Sequence, residues 1–68
     1  MTQEFAPTII RRKEVEKRTG LSRSTIYQRV SQHTFPAQVC LGSRAVGWVE
    51  DEVSAWLAER IAASREAA

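Results

Sequence analysis

Thr19–Val30 reads TGLSRSTIYQRV, and the way this stretch folds decides the architecture of the whole chain. A glycine, one apolar residue and a serine stand ahead of a segment in which arginine, serine, threonine, tyrosine and glutamine crowd together. Gly20 suits the left-handed cap that ends one helix, and the Ser22 hydroxyl suits the N-cap of the next, where it accepts a first-turn N–H. Ile26 and Val30 then lie four apart on one narrow apolar stripe, with Tyr27 at its border. At ~100° per residue, Ser24, Thr25 and Gln28 point away from that stripe and Arg23 and Arg29 fall nearer its edges. The stretch therefore predicts a tight turn followed by a helix whose outward face is rich in hydrogen-bonding groups.

The flanks agree with that reading. Arg12–Thr19 is made of good or neutral helix formers and predicts a helix of about two turns, held mainly by Val15 and Thr19 and too short to stand alone. Residues 1–7 lack periodicity and are expected to form a flexible arm, ahead of Thr8, Ile9 and Ile10, a β-branched run suited to an edge strand. The second helix is expected to end near His33 and Thr34, because Pro36 disfavours helical geometry at Phe35.

A β-hairpin follows. Ala37–Leu41 and Ala45–Val49 are short strand-like runs, with Val39 and Leu41 on one face of the first, Val46 and Trp48 on one face of the second, and Gly42, Ser43 and Arg44 between them. Gly47 marks either a bulge or a point of close backbone approach. Glu50, Asp51 and Glu52 then place three carboxylates where the dipole of a helix N-terminus favours negative charge. Val53, Trp56, Leu57 and Ile61 give that last helix a core stripe, and Ala62 onward is expected to fray, with residues 65–68 as a tail. Residues 8–64 thus form the expected domain.

Composition narrows the function classes. With 68 residues the chain is one domain, and a fold of this size buries only about 60% of the surface its unfolded chain exposes. Cys40 is the one cysteine and His33 the one histidine, which leaves no disulfide framework and no zinc ligand set; no cofactor is expected. No apolar run approaches the ~18 residues of a membrane span, and the N-terminal residues lack a secretory layout, so a cytoplasmic location without membrane contact is expected. No nucleophile, base and orienting group form a recognisable constellation, so the chain does not read as an enzyme.

Charge is distributed unevenly. The formal net charge is +2, but residues 1–49 carry eight basic against three acidic side chains, whereas residues 50–68 carry two against five. The basic two-thirds would face a polyanion and the acidic remainder would turn away from it.

A short helix, a glycine-containing turn and a second helix with exposed polar side chains form a helix-turn-helix, and a hairpin with a basic tip after it is a wing. The expected fold is a small α+β winged helix-turn-helix. In this geometry the second helix enters the major groove of double-stranded DNA, with the first helix across the backbone behind it. Arg23, Ser24, Thr25 and Gln28 are the expected base- and phosphate-contacting residues of the recognition helix. Ser22 caps the helix and can also meet a phosphate. Tyr27 divides between the core and a phosphate contact, Arg29 and Arg44 are expected on phosphates, and Ser43 shares the wing tip with Arg44. Arg11, Arg12, Lys13, Lys17 and Arg18 read as a solvated basic run, with Arg12 or Lys13 as lesser candidates for the DNA backbone. Cys40 reads as a small packing residue, His33 as a helix-end residue, and Trp48 and Trp56 as core.

The segments RRKEVEKRTGLSRSTIYQRV and FPAQVCLGSRAVGWVEDEVSAWLAERI also carry a resemblance. GLSRSTIY, FP, LGSRAVGW and EVSAWL occur in the order and spacing of the AlpA-type phage and prophage regulators, small winged helix-turn-helix proteins related to excisionases and more distantly to the MerR-type DNA-binding domain. The resemblance implies a DNA-binding regulator of phage genes. Two alternatives stay open beside it: an excisionase-like recombination directionality factor that uses the same surface, and an adaptor that docks on a phage integrase or another regulator. Self-association on DNA is a further expectation, because one copy presents a small interface.

Overall fold

The chain runs through β1 (Ile9–Ile10), α1 (Arg12–Thr19), α2 (Arg23–Ser31), β2 (Val39–Gly42), β3 (Ala45–Val49) and α3 (Glu50–Ala67). The computed structural model describes residues 7–67, so the arm expected before Pro7 lies outside the described residues. Element order and type are those of a small α+β winged helix-turn-helix.

Gly20 ends α1 in the left-handed region at φ 75°, and its N–H donates to the Glu16 carbonyl. Ser22 caps α2: its Oγ accepts the Thr25 N–H at 3.2 Å. Thr19 contributes to the turn between the helices by donating its hydroxyl to the Val15 carbonyl and accepting the Leu21 N–H. The first helix is thus fastened at its end by a side chain as well as by packing, which offsets its short apolar stripe.

The three strands form an antiparallel sheet in the order β1-β3-β2. Ile10 pairs with Trp48 and Ile9 with Val49, so the run before the first helix does add an edge strand. Gly47 is a point of close approach. A Cβ there would collide with Ile9 Cγ2 and stand 3.0 Å from the Ile10 carbonyl oxygen. The ladder irregularity lies instead between Cys40 and Gly42, on the partner strand.

Ile10, Val15, Ile26, Phe35, Trp48 and Val53 form the core, drawn from both edges of the helix pair, the loop and the sheet. Trp48 is 0% exposed and donates its indole N–H to the Pro36 carbonyl at 2.9 Å, so a large ring is buried without an orphaned donor. Each such apolar side chain contributes about 1.5–3 kcal/mol through burial. Phe35 meets Trp56 edge to face at 4.8 Å between ring centroids.

The structure corrects several boundaries and faces. The second helix stops at Ser31, short of His33 and Thr34. His33 takes a left-handed φ of 62°, while the His33 and Thr34 N–H groups donate back to the Val30 and Arg29 carbonyls, closing the helix in the Schellman manner. The first wing strand begins at Val39, not Ala37, because Trp48 and Trp56 take the Pro36 and Thr34 carbonyls and hold that segment as a loop. Leu41 is 47% exposed beside the ladder irregularity, and Cys40, on an edge strand, is exposed and packs into no core. In α3, Val53 is buried and Trp56 and Leu57 half-buried, but Ile61 is 49% exposed. The core is too small to reach it. The helix nevertheless continues through good helix formers to Ala67, past the point at which fraying is expected.

Candidate nucleic-acid interface

Helix α2 is held from behind by Ile26, which is fully buried, and by the half-buried Val30 and Tyr27. The opposite face carries Arg23, Ser24 and Gln28, all exposed, with Ser22 exposed at the N-cap. A helix fixed by a narrow stripe thus leaves a polar face free over its first two turns.

Two of the side chains expected on that face are engaged locally. Thr25 is half-buried, not turned wholly to solvent, and the Ser22 hydroxyl donates to Thr25 Oγ1 at 3.0 Å. The cap thereby orients both hydroxyls at the helix start, and the Thr25 hydrogen stays available for an acceptor. Arg23 lies over the Tyr27 ring, with its Cζ 5.9 Å from the centroid, a cation–π separation that restricts where the guanidinium points. Tyr27 in turn sits 6.0 Å from Trp48, the two rings tilted at 59°. The chain of contacts Arg23–Tyr27–Trp48 links an exposed cation to the centre of the core.

Arg29 is half-buried, and its Nε is a buried donor without a hydrogen-bond partner among the described residues.

Ser43 and Arg44 are exposed at the tip of the hairpin. Arg44 also lines a cleft of about 350 Å³ together with Arg11, Arg12, Lys13, Tyr27 and Val46. The wing tip, the recognition helix and the start of α1 therefore converge on one basic concavity. Of this surface the sequence assigns Arg11 to solvent alone and offers Arg12 or Lys13 only as lesser candidates for the DNA backbone. The only signal available there was the run of three cations at residues 11–13, and nothing local ties it to Arg44.

Electrostatic contacts elsewhere fix the frame. Arg18 donates to Glu14 and to Glu50, each at 2.8 Å, and so ties the end of α1 to the start of α3. The Arg18 hydrogen bond holds the Glu14 carboxyl below its ordinary value, and Glu14 and Glu50 together raise Arg18. Arg12 pairs with Glu16 one turn on. The carboxylates Glu50, Asp51 and Glu52 occupy the first turn of α3, where the helix dipole accounts for them. Among the described residues, no set of His, Cys, Asp and Glu is grouped to hold a metal, and no helix is long and apolar enough to cross a membrane.

Comparison with known proteins places the chain. It is 48% identical over 62 residues to the uncharacterized protein ORF88 of Enterobacteria phage P4, a match covering 91% of this chain and 67% of that protein. It is 36% identical over 66 residues to the DNA-binding transcriptional activator AlpA of Escherichia coli (strain K12), covering 88% of this chain and 94% of that protein. Residues 8–61, from the edge strand to the exposed isoleucine of the last helix, match the family described as prophage CP4-57 regulatory protein (AlpA), and the chain belongs to that family.

Proposed function

We propose that this chain recognises specific sites in double-stranded DNA and regulates phage or prophage genes from them. Helix α2 enters the major groove, the Ser43–Arg44 wing lies along the adjacent backbone or groove, and α1 crosses the phosphates behind. The observation that carries the reading is the exposed face of Arg23, Ser24 and Gln28 on a helix pinned by Ile26. Arginine pairs bidentately with guanine O6 and N7, glutamine with adenine N6 and N7, and the Ser22, Ser24 and Thr25 hydroxyls serve either a base edge or a phosphate. The printed description of the Escherichia coli relative as a DNA-binding transcriptional activator supports the same reading.

Mechanistically, the domain divides its contacts. Arg29, Arg44 and the N-terminus of α2 meet phosphates and set register, while Arg23, Ser24, Thr25 and Gln28 read bases. Tyr27 joins the two by packing on Trp48 and presenting its hydroxyl outward. The acidic α3 stays on the side away from the duplex.

A mobility-shift titration with a duplex from upstream of the protein's own gene tests the proposal. Binding is expected, with affinity falling steeply as salt rises. Absence of binding to this duplex and to random duplexes alike would refute it, and co-purification with an integrase in that case would favour the adaptor role.

A further inference from the structure

The cleft between the start of α1, Tyr27 and the wing tip has no role in base reading, and its lining is chemically lopsided. Arg11, Arg12, Lys13 and Arg44 bring four cations to a space of about 350 Å³, and among the described residues no carboxylate lines it. Arg12 pairs with Glu16, so part of its charge is already offset. Arg11, Lys13 and Arg44 are exposed and make no ion pair among the described residues. The one acid in the first turn of α1, Glu14, is turned to Arg18 instead.

The remaining groups point the same way. Arg11 is the N-cap residue of α1 but makes no side-chain cap, so the first-turn N–H groups add donors at the same end of the cleft. Tyr27 supplies a neutral phenol, held in place by Trp48. Three exposed cations with N–H and O–H donors beside them, and no lining carboxylate among the described residues, match an anionic pair of oxygens better than a base edge, whose recognition takes one planar bidentate side chain at a time. They suit one doubly oxygenated, singly charged group.

We propose that this cleft seats a single backbone phosphodiester of the bound duplex, gripped jointly by Arg11 and Lys13 from α1 and Arg44 from the wing. The inference rests on the duplex-binding reading above and adds a specific place to it. The consequence is mechanical: one phosphate fastened between wing and first helix fixes the depth and register of α2, while contributing nothing to the choice of sequence. Arg11 and Lys13 stand at the start of α1 and Arg44 in the wing between β2 and β3, so the grip forms only in the folded chain.

The test measures affinity by fluorescence anisotropy for a target duplex and a scrambled duplex across a salt series, comparing wild type with R11Q/K13Q. The double variant is expected to bind both duplexes about tenfold more weakly, with a salt slope shallower by about one. The ratio between the two duplexes should stay unchanged. A neutral methylphosphonate scanned along both strands should weaken wild type at one phosphate whose replacement costs R11Q/K13Q clearly less, since only Arg44 still holds it there. Where R11Q/K13Q folds poorly, R44Q gives the same comparison from the wing side, with the same phosphate expected to lose its effect in part.

Equal affinity of variant and wild type, a changed ratio, or methylphosphonate effects that are the same in both proteins would overturn the proposal. A cleft for a free anion would instead show inorganic phosphate shifting the Lys13 and Tyr27 resonances while R11Q/K13Q kept full duplex affinity, and that too would overturn it. Wild type that binds no duplex would remove the underlying function as well, a different result from failure of the cleft alone.

Discussion

The Ser22 hydroxyl accepts the Thr25 backbone N–H at 3.2 Å and donates to Thr25 Oγ1 at 3.0 Å, so one side chain both starts the recognition helix and aims its neighbour. Stability and binding therefore meet at a single residue, and substitutions can separate them. Ser22→Ala should cost about 1 kcal/mol through loss of the cap. For a domain of this size that lowers Tm by about 4–8 °C. Ser22→Asp keeps a good cap, and should retain the melting temperature while losing DNA affinity, because it sets a negative charge against the phosphates. Thermal melts by circular dichroism and a binding isotherm for each variant decide the matter; an Asp variant that binds as well as wild type would place Ser22 away from DNA.

Gly47 carries the wing on the sheet. Its missing Cβ makes room for Ile9 Cγ2, and the Ile10 carbonyl stands 3.0 Å from where a Cβ would be. Gly47→Ala should destabilise by about 1–3 kcal/mol, as overpacking does. Ile9→Ala removes one of the colliding groups, so the cost of Gly47→Ala should be smaller in that background, by about 0.5 kcal/mol or more. Urea midpoints of the four proteins give the cycle, and strict additivity would show that the collision is not the cause.

Acid should weaken the Glu14–Arg18 pair at the end of α1. Glu14 has its folded value lowered from the ordinary 4.5, first by the Arg18 hydrogen bond. A lowered carboxylate contributes above its unfolded value, and that contribution disappears as pH falls through the folded one. The stabilisation is thus intact at neutral pH and is lost below the ordinary carboxylate value. Melts between about pH 6 and about pH 3 should show wild type losing more than Arg18→Ala, by a small margin because the pair is exposed and screened. Parallel curves for the two proteins would mean that Arg18 makes no such bridge in solution.

Much of the domain was legible from local chemistry. Gly20, Ser22 and the Glu50–Glu52 cluster each mark an element end through their own backbone or charge preference, and an element ends or begins at each of them, whereas α2 ends at Ser31, well before Pro36. The errors arose where tertiary contacts overrode local preference. The loop before Val39 is held open by two indole N–H groups whose targets lie 12 and 22 residues away. Ile61 obeys the helical stripe but lies beyond a core that ends at Leu57. The basic cleft was the least visible, because Arg11 and Arg44 become neighbours only when the sheet positions the wing beside the start of α1.

The recognition helix is tested most directly by selecting bound sequences from a randomised duplex pool with wild type and with the R23A/S24A/Q28A variant. These three side chains are exposed, and only Arg23 touches a residue packed on the core, the Tyr27 ring, so the variant should fold and melt only slightly below wild type. Wild type should enrich a defined motif, and the variant should retain salt-sensitive binding but enrich none. Recovery of the same motif by the folded variant would contradict the assignment of α2 as the element that reads DNA.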